Sequence, residues 1–253
     1  MFCYIIIILF VIFIFVTIKK YESFDENKYF ITFGGGGQNY YDAAERITNE
    51  VKQLNVFNNY ITYKDTDLKN DEFWETHSEF VENNKRGYGY WLWKPYIILK
   101  TLKSMNSGEI LLYLDGGCEI SNGDMNELID RCKKYDILYT LTGQIEKKYT
   151  KMDLFLEMKL NTSKIKDDPQ YQASAIFLKK NDKIMNFVNE WYNISSKYHL
   201  IDDSESLSPN DNEFIEHRHD QSVFSLLIKK YNYDNKDNIF NEGLIKISRN
   251  RNG

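Results

Sequence analysis

The stretch LLYLDGGCEI, residues 111–120, decides the fold. With Ile110 ahead of it, ILLYL is a short, wholly apolar run, the pattern of a strand covered on both faces in the middle of a sheet. The run stops on Asp115, and Gly116 and Gly117 follow. A carboxylate beyond a buried strand, on backbone without side chains, stands where a bound group can approach closely. In an open α/β sheet, ligands collect at the carboxyl ends of the strands. An Asp-Gly turn also closes many strands for geometric reasons alone.

Outward from this strand the pattern repeats. KYFITF (28–33) reads as a first strand and GGGG (34–37) as a tight turn. A helix from Asp42 then places Ala44, Ile47, Val51 and Leu54 on one face. YITYK (59–63), DILYT (136–140) and SAIFLK (174–179) are further strands. PYIILKTLKSM has Pro95 in its first helical turn, and Asp124 with Glu127 resembles a capping box. Asp182 opens a helix carrying Ile184, Phe187, Val188 and Trp191, and Asp220 is placed to cap one that buries Phe224, Leu227, Ile228 and Tyr231. Strands alternating with amphipathic helices predict an α/β fold, a mostly parallel sheet flanked by helices. The acidic loop 201–214 and the stretch 144–171 are the least regular parts, and no internal repeat or second domain is evident.

The 253 residues, 42% hydrophobic and 27% charged, suffice for one full-sized domain, expected over 28–253. A net charge of −5 argues against nucleic acid as a partner, because phosphate backbones need a basic face. Cys3, Cys118 and Cys132 are an odd number without metal-ligand spacing, so neither a disulfide framework nor a zinc site is indicated. Residues 1–18, MFCYIIIILFVIFIFVTI, carry no charge, and Lys19 and Lys20 follow. As a helix this segment is about 27 Å long, enough to cross most of a hydrocarbon core. It lacks the basic n-region and small-residue cleavage site of a signal peptide. The expectation is therefore an N-terminal transmembrane helix over 1–18, a short tether over 19–27 and a single-pass membrane protein, with the nearby lysines favouring a cytosolic domain. The N-x-[ST] matches at Asn161 and Asn193 are chance products of an Asn-rich chain.

Three segments beyond GGGG carry candidate chemistry. Asp115 can hold a divalent cation or a ribose hydroxyl. In FIEHRHDQSVFSLL (214–227), His217 and His219 alternate before Asp220; two imidazoles and a carboxylate can ligate a metal, grip a diphosphate or move a proton, or be a capped surface helix with incidental histidines. In NKRGYGYWLWKP (84–95) aromatic rings cluster around Arg86 and Lys94; most suit the core, while the two cations are the better candidates for phosphate contact. GGGG is a weak signal by itself, since neither a P-loop nor G-x-G-x-x-G is completed, and a nucleotide along it is no more expected than a plain turn.

In this order the segments resemble the nucleotide-diphosphosugar transferases of GT-A fold, the glycogenin-like and related families above all. RGYGYWLWKPYI, LLYLDGGCEI and FIEHRHDQSVFSLL together are similar to a group of uncharacterised glycosyltransferases from large DNA viruses and microbes. The resemblance spans residues 28–231 and implies transfer of a sugar from a nucleotide-diphosphate donor to a hydroxyl on a glycan, protein or lipid acceptor. It implies Asp115 as the first aspartate of D-x-D, near ribose and metal, and Asp220 of the D-Q pair as the catalytic carboxylate facing the sugar. Gln172 and Ser174 match the strand that flanks the sugar, and Gln221 accompanies Asp220. Gly34, Gly35, Arg86, Lys94 and Gly116 complete the expected donor site. The family pattern implies Mn2+ or Mg2+, yet Gly117 stands where the second aspartate belongs; Glu119, His217 and His219 are then the expected additional ligands beside Asp115.

Two rival readings accompany this one. A membrane-anchored carbohydrate- or nucleotide-binding module without catalysis would explain the missing aspartate, and would bind donor without releasing nucleotide diphosphate. A nucleotidyltransferase of the same fold would need a basic Gly-rich loop near the first strand, and GGGG carries no lysine or arginine.

Overall fold

The computed structural model describes residues 27–121 and 123–250. Its centre is a five-stranded sheet built from β1 (Lys28–Gly34), β2 (Asn59–Lys64), β3 (Ile110–Leu114), β5 (Ile137–Leu138) and β8 (Ala175–Lys179), in the order β2-β1-β3-β8-β5. Two short antiparallel pairs lie outside it: β4 (Glu119–Ile120) with β9 (Ile245–Lys246), and β6 (Leu141–Ile145) with β7 (Pro169–Tyr171). The longer helices are α1 (Gln38–Gln53), α2 (Glu72–Asn83), α3 (Trp93–Ser104), α4 (Met125–Tyr135), α5 (Asp182–Ser195) and α6 (His219–Lys230).

Alternation along β3 sorts the core into two layers. Ile110, Leu112 and Leu114 pack with Ile47 and Val51 of α1 and Ile129 and Cys132 of α4. Leu111 and Tyr113 face the opposite layer, which holds Ile97 and Ile98 of α3, Phe187 and Trp191 of α5 and Phe224 and Leu227 of α6. All five residues of β3 are fully buried, as an apolar run with helices on both sides requires.

The sheet is mixed rather than mostly parallel. β1 pairs parallel with β2 and β3, whereas β8 pairs antiparallel with both β3 and β5. The reason lies in where the chain re-enters: Leu114 is opposite Ala175, so β8 starts at the edge where β3 ends and runs away from it. This reversal positions the site. It is the beginning of β8, with Gln172–Ser174 ahead of it, that adjoins Asp115.

The single-pass architecture expected from the sequence is corrected. Among the described residues no helix is long and apolar enough to cross a membrane. The longest of them, α1, has 16 residues and an amphipathic pattern with Glu45, Arg46, Glu50 and Lys52 along it, against the roughly 20 apolar residues a span requires. The expected anchor over 1–18, and the tether up to residue 26, lie outside the described residues. The membrane as a partner and the single-pass localisation are corrected on the same finding, that no helix among the described residues can span a bilayer.

Between α2 and α3 the backbone is wound against its natural hand. Gly87, Tyr88, Gly89, Tyr90 and Trp91 all have positive φ, between 52° and 82°. A left-handed turn costs an L-residue roughly 1–2 kcal/mol per position, and the glycines relieve only two of the five. Packing holds it: Trp93 stacks on Phe33 with ring centroids 3.9 Å apart and donates from Nε1 to the Gly87 carbonyl at 2.9 Å.

Candidate functional site

At the carboxyl edge of β1 and β3 opens a cleft of about 660 Å³, within the range of small-molecule sites. Its floor is a buried ion triad. Lys94, in the first turn of α3, places Nζ 2.7 Å from Asp220 Oδ2 and 3.2 Å from Asp115 Oδ1, and donates to the Ala173 carbonyl at 3.1 Å. The lysine side chain is 3% exposed and that of Asp220 6%, while that of Asp115 is 29% exposed and looks into the cleft. Burial works against the Lys94 charge, but the two carboxylates outweigh it and hold the ammonium above its ordinary range. Burial pushes the Asp220 carboxyl up to about 6; Lys94 pulls it down, and Asp115 adds to the rise.

Each member is braced from a different element. Asp115 N donates to the Ser174 carbonyl at 2.8 Å, and the Tyr113 hydroxyl donates to Asp115 Oδ1. Arg46 of α1 donates from Nη2 to the carbonyls of Gly116 and Cys118, both at 2.9 Å, so the helix grips the loop that ends β3. The loop lies close to the helix at Gly116, where a Cβ would stand 3.3 Å from Ala44 N. Asp220 lies in the first turn of α6 and does not cap it: the helix begins at His219, and the carboxylate is spent on Lys94. Trp191 Nε1 donates to the Asp220 carbonyl at 3.2 Å. Below α6, Lys229 Nζ meets Glu146 Oε1 at 2.7 Å, both buried, with Ser225 and Gln170 completing the network; Gln170 also accepts from Gln221 Nε2 at 2.9 Å. This buried, fully bonded network ties α6 to Glu146 and to Gln170 of β7.

The structure thus brings Asp115, Gly116, Gln172, Ser174, Asp220, Gln221, Gly35, Arg86 and Lys94 to one cleft. Gly34 stands behind them, pressed to α1: a Cβ there would meet the Tyr40 carbonyl at 2.7 Å. Arg86, at the rim, is half-exposed and paired with Asp203 at 3.0 Å and Glu216 at 3.7 Å. Glu119 lies apart, accepting from Asn250 Nδ2 at 2.6 Å. His217 is buried behind the cleft, with Nδ1 accepting from Lys151 N at 3.2 Å and Nε2 donating to the Leu200 carbonyl at 2.8 Å. His219 borders the cleft but directs Nδ1 to the Ile201 carbonyl at 2.7 Å. Burial lowers both imidazoles, His217 to about 3 and His219 to about 4, so both are neutral near pH 7. Among the described residues no three His, Cys, Asp or Glu side chains stand together as a metal-ligand set.

Sequence reading missed Lys85, Trp91, Arg218 and Arg249, which also line the cleft. Lys85 and Arg218 sit inside segments already singled out, next to Arg86 and His219. Nothing local marks Arg249; its place depends on β9 pairing with β4.

No protein-family model and no curated protein matches the chain. Among solved structures it is similar to a glycosyltransferase involved in the glycosylation of the major capsid of PBCV-1, at 14% identity and a TM-score of 0.36 over 66% of each chain. It is also similar to mouse xyloside xylosyltransferase 1 in its apo form, at 13% identity and a TM-score of 0.44, over 85% of this chain and 84% of that one. A third likeness is to the galactosyltransferase LgtC in complex with donor and acceptor sugar analogs, at 11% identity and a TM-score of 0.41 over 85% of each chain. At these scores and identities the likenesses decide neither family nor chemistry, which the site itself must carry.

Proposed function

We propose that this chain is a glycosyltransferase, moving a sugar from a nucleotide-diphosphate donor to a hydroxyl acceptor. The observation that supports it is the triad: two carboxylates, from the end of β3 and the start of α6, meet on one buried ammonium at the floor of a cleft. Bare backbone at Gly35 and Gly116 along the same cleft lets a flat or charged ligand approach closely.

The chemistry follows from where charge develops. When the bond from the anomeric carbon to the diphosphate oxygen breaks, the oxygen keeps the electron pair and the sugar gains positive charge. The acceptor oxygen forms the new bond and loses its proton. Lys94 lies where it can stabilise negative charge on the leaving group or on sugar hydroxyl oxygens. Asp220, ionised above about pH 6, can hold sugar hydroxyls, balance the cation or take the acceptor proton. Asp115, more exposed and facing the cleft, suits ribose hydroxyls.

The test is nucleotide release from UDP-, GDP- and TDP-sugars by the purified chain. Asp115→Asn and Asp220→Asn should each lose about a hundredfold or more in rate while the fold persists by circular dichroism. Full rates in both variants would overturn the assignment. Donor binding without any nucleotide release would favour the catalytically silent binding module instead.

A further inference from the structure

Gly117 stands where the resemblance expects a second carboxylate, and the structure closes that place. β9 carries the chain back past the loop, so that Ser248 Oγ and Asn250 N both donate to the Gly117 carbonyl, at 3.1 and 3.0 Å. A Cβ on Gly117 would stand 3.0 Å from the Cα of Arg249. Of the other expected ligands, Asp115 is engaged by Lys94 and the Tyr113 hydroxyl, and Glu119 by Asn250. The His217 ring is engaged at both nitrogens. His219 is held at Nδ1 by the Ile201 carbonyl and leaves Nε2 without a hydrogen bond, but that single nitrogen does not stand with two other His, Cys, Asp or Glu side chains among the described residues. A divalent cation asks for several oxygen ligands with carboxylates free to turn toward it. These residues do not fit one.

Cationic side chains line the same cleft. Among the described residues the cleft is lined by Lys85, Arg86, Lys94, Arg218 and Arg249 against the carboxylates of Asp115 and Asp220, in a chain whose net charge is −5. Arg86 and Arg218 are partly neutralised by Glu216, and Arg86 also by Asp203. Lys85 and Arg249 are exposed, and neither side chain makes a hydrogen bond or ion pair among the described residues. A local excess of positive charge in an acidic protein attracts an anion and raises its rate of capture. Guanidinium and ammonium groups meet phosphate oxygens through charge-assisted hydrogen bonds.

We infer that the donor's diphosphate is held by side-chain cations, Arg249 and Lys85 foremost with the Lys94 ammonium beneath them, and that its binding requires no divalent metal. The inference rests on the transferase reading, but its test is separable from it.

Titration calorimetry of the full chain with UDP, GDP and TDP, in EDTA and then in manganese, reads it directly. The expected result is one nucleoside diphosphate binding with affinities that agree within about twofold between the two conditions. Arg249→Ala and Lys85→Ala should each weaken it about tenfold in EDTA, with Arg249→Lys intermediate, the loss of one charged hydrogen bond being worth roughly that much. Both residues are exposed, so the variants are expected to fold. Binding seen only with manganese, or unchanged in both alanine variants, would overturn the inference and leave the transferase reading standing. Failure of all three diphosphates in both conditions would sink the two together.

Discussion

Lys94 and Asp220 meet at 2.7 Å with both side chains withdrawn from solvent, although one opens α3 and the other lies in the first turn of α6. Neither charge is tolerable there alone. Lys94→Met should leave two carboxylates facing each other and cost roughly 3–5 kcal/mol of stability, as breaking a buried ion pair does. Urea unfolding at pH 7.5 measures it. A midpoint equal to that of the unaltered chain would mean that the triad is not formed in solution.

The same triad sets a pH limb. Asp220 is held up to about 6 by burial, above its ordinary 3.8. Turnover that needs its carboxylate should be full above that value and fall about tenfold per unit below it. The stability term runs the other way: the folded chain takes up this proton before the unfolded chain does, so Asp220 alone favours folding more as pH drops from 7 toward 4. Initial rates between pH 5 and 8, with folding followed in parallel, separate the two. A flat profile down to pH 5 would remove Asp220 from the reacting centre.

Three buried histidines oppose it. His77 between Tyr192 and Tyr198 is lowered to about 4, His219 to about 4 and His217 to about 3, all chiefly by burial, from an ordinary 6.5. Below pH 6.5 the unfolded chain gains protons that the folded chain refuses, so their stabilisation is present above 6.5 and lost progressively toward 3–4. The urea midpoint at pH 5 is expected to lie below that at pH 7. His77→Gln should flatten this dependence in part. An unchanged midpoint would show that these rings are protonated in the folded chain.

The left-handed turn makes a sharper mutational contrast. Gly89 has φ +82°, and a Cβ on it would stand 2.8 Å from Val81 Cγ2. Gly89→Ala should cost roughly 1–3 kcal/mol through strain and crowding. Gly143→Ala, where a Cβ meets nothing within 4 Å, should stay within about 0.5 kcal/mol. Thermal melts of the two variants compare them, and equal shifts would count against the turn.

Much of the scaffold was legible because it rests on periodicity. ILLYL matched β3 residue for residue, and the apolar faces of α1, α4 and α5 were visible as spaced hydrophobics. Direction was not: SAIFLK reads the same whether it runs with β3 or against it, and only the path of the preceding chain turns β8 around. DILYT shrank to Ile137–Leu138 because those two residues pair with β8, while Tyr139 turns to an isolated bridge with Ile239. Asp220 was recognised as a candidate, but its role as a helix cap was wrong, since a lysine far away in sequence claims the carboxylate. The paired glycines at 87 and 89 were the available clue to the left-handed turn. Arg249 gave none, because its neighbours in space belong to β4 and the loop before it.

The place of β8 has a consequence for how the molecule is made. Residues 175–179 sit between β3 and β5, both of which precede them in the chain. Until they emerge from the ribosome, β3 presents an unpaired apolar edge and β5 has no strand to join, the condition under which nascent chains associate with one another. Fragments stopping short of β8 should therefore collect as aggregates rather than as a smaller working unit.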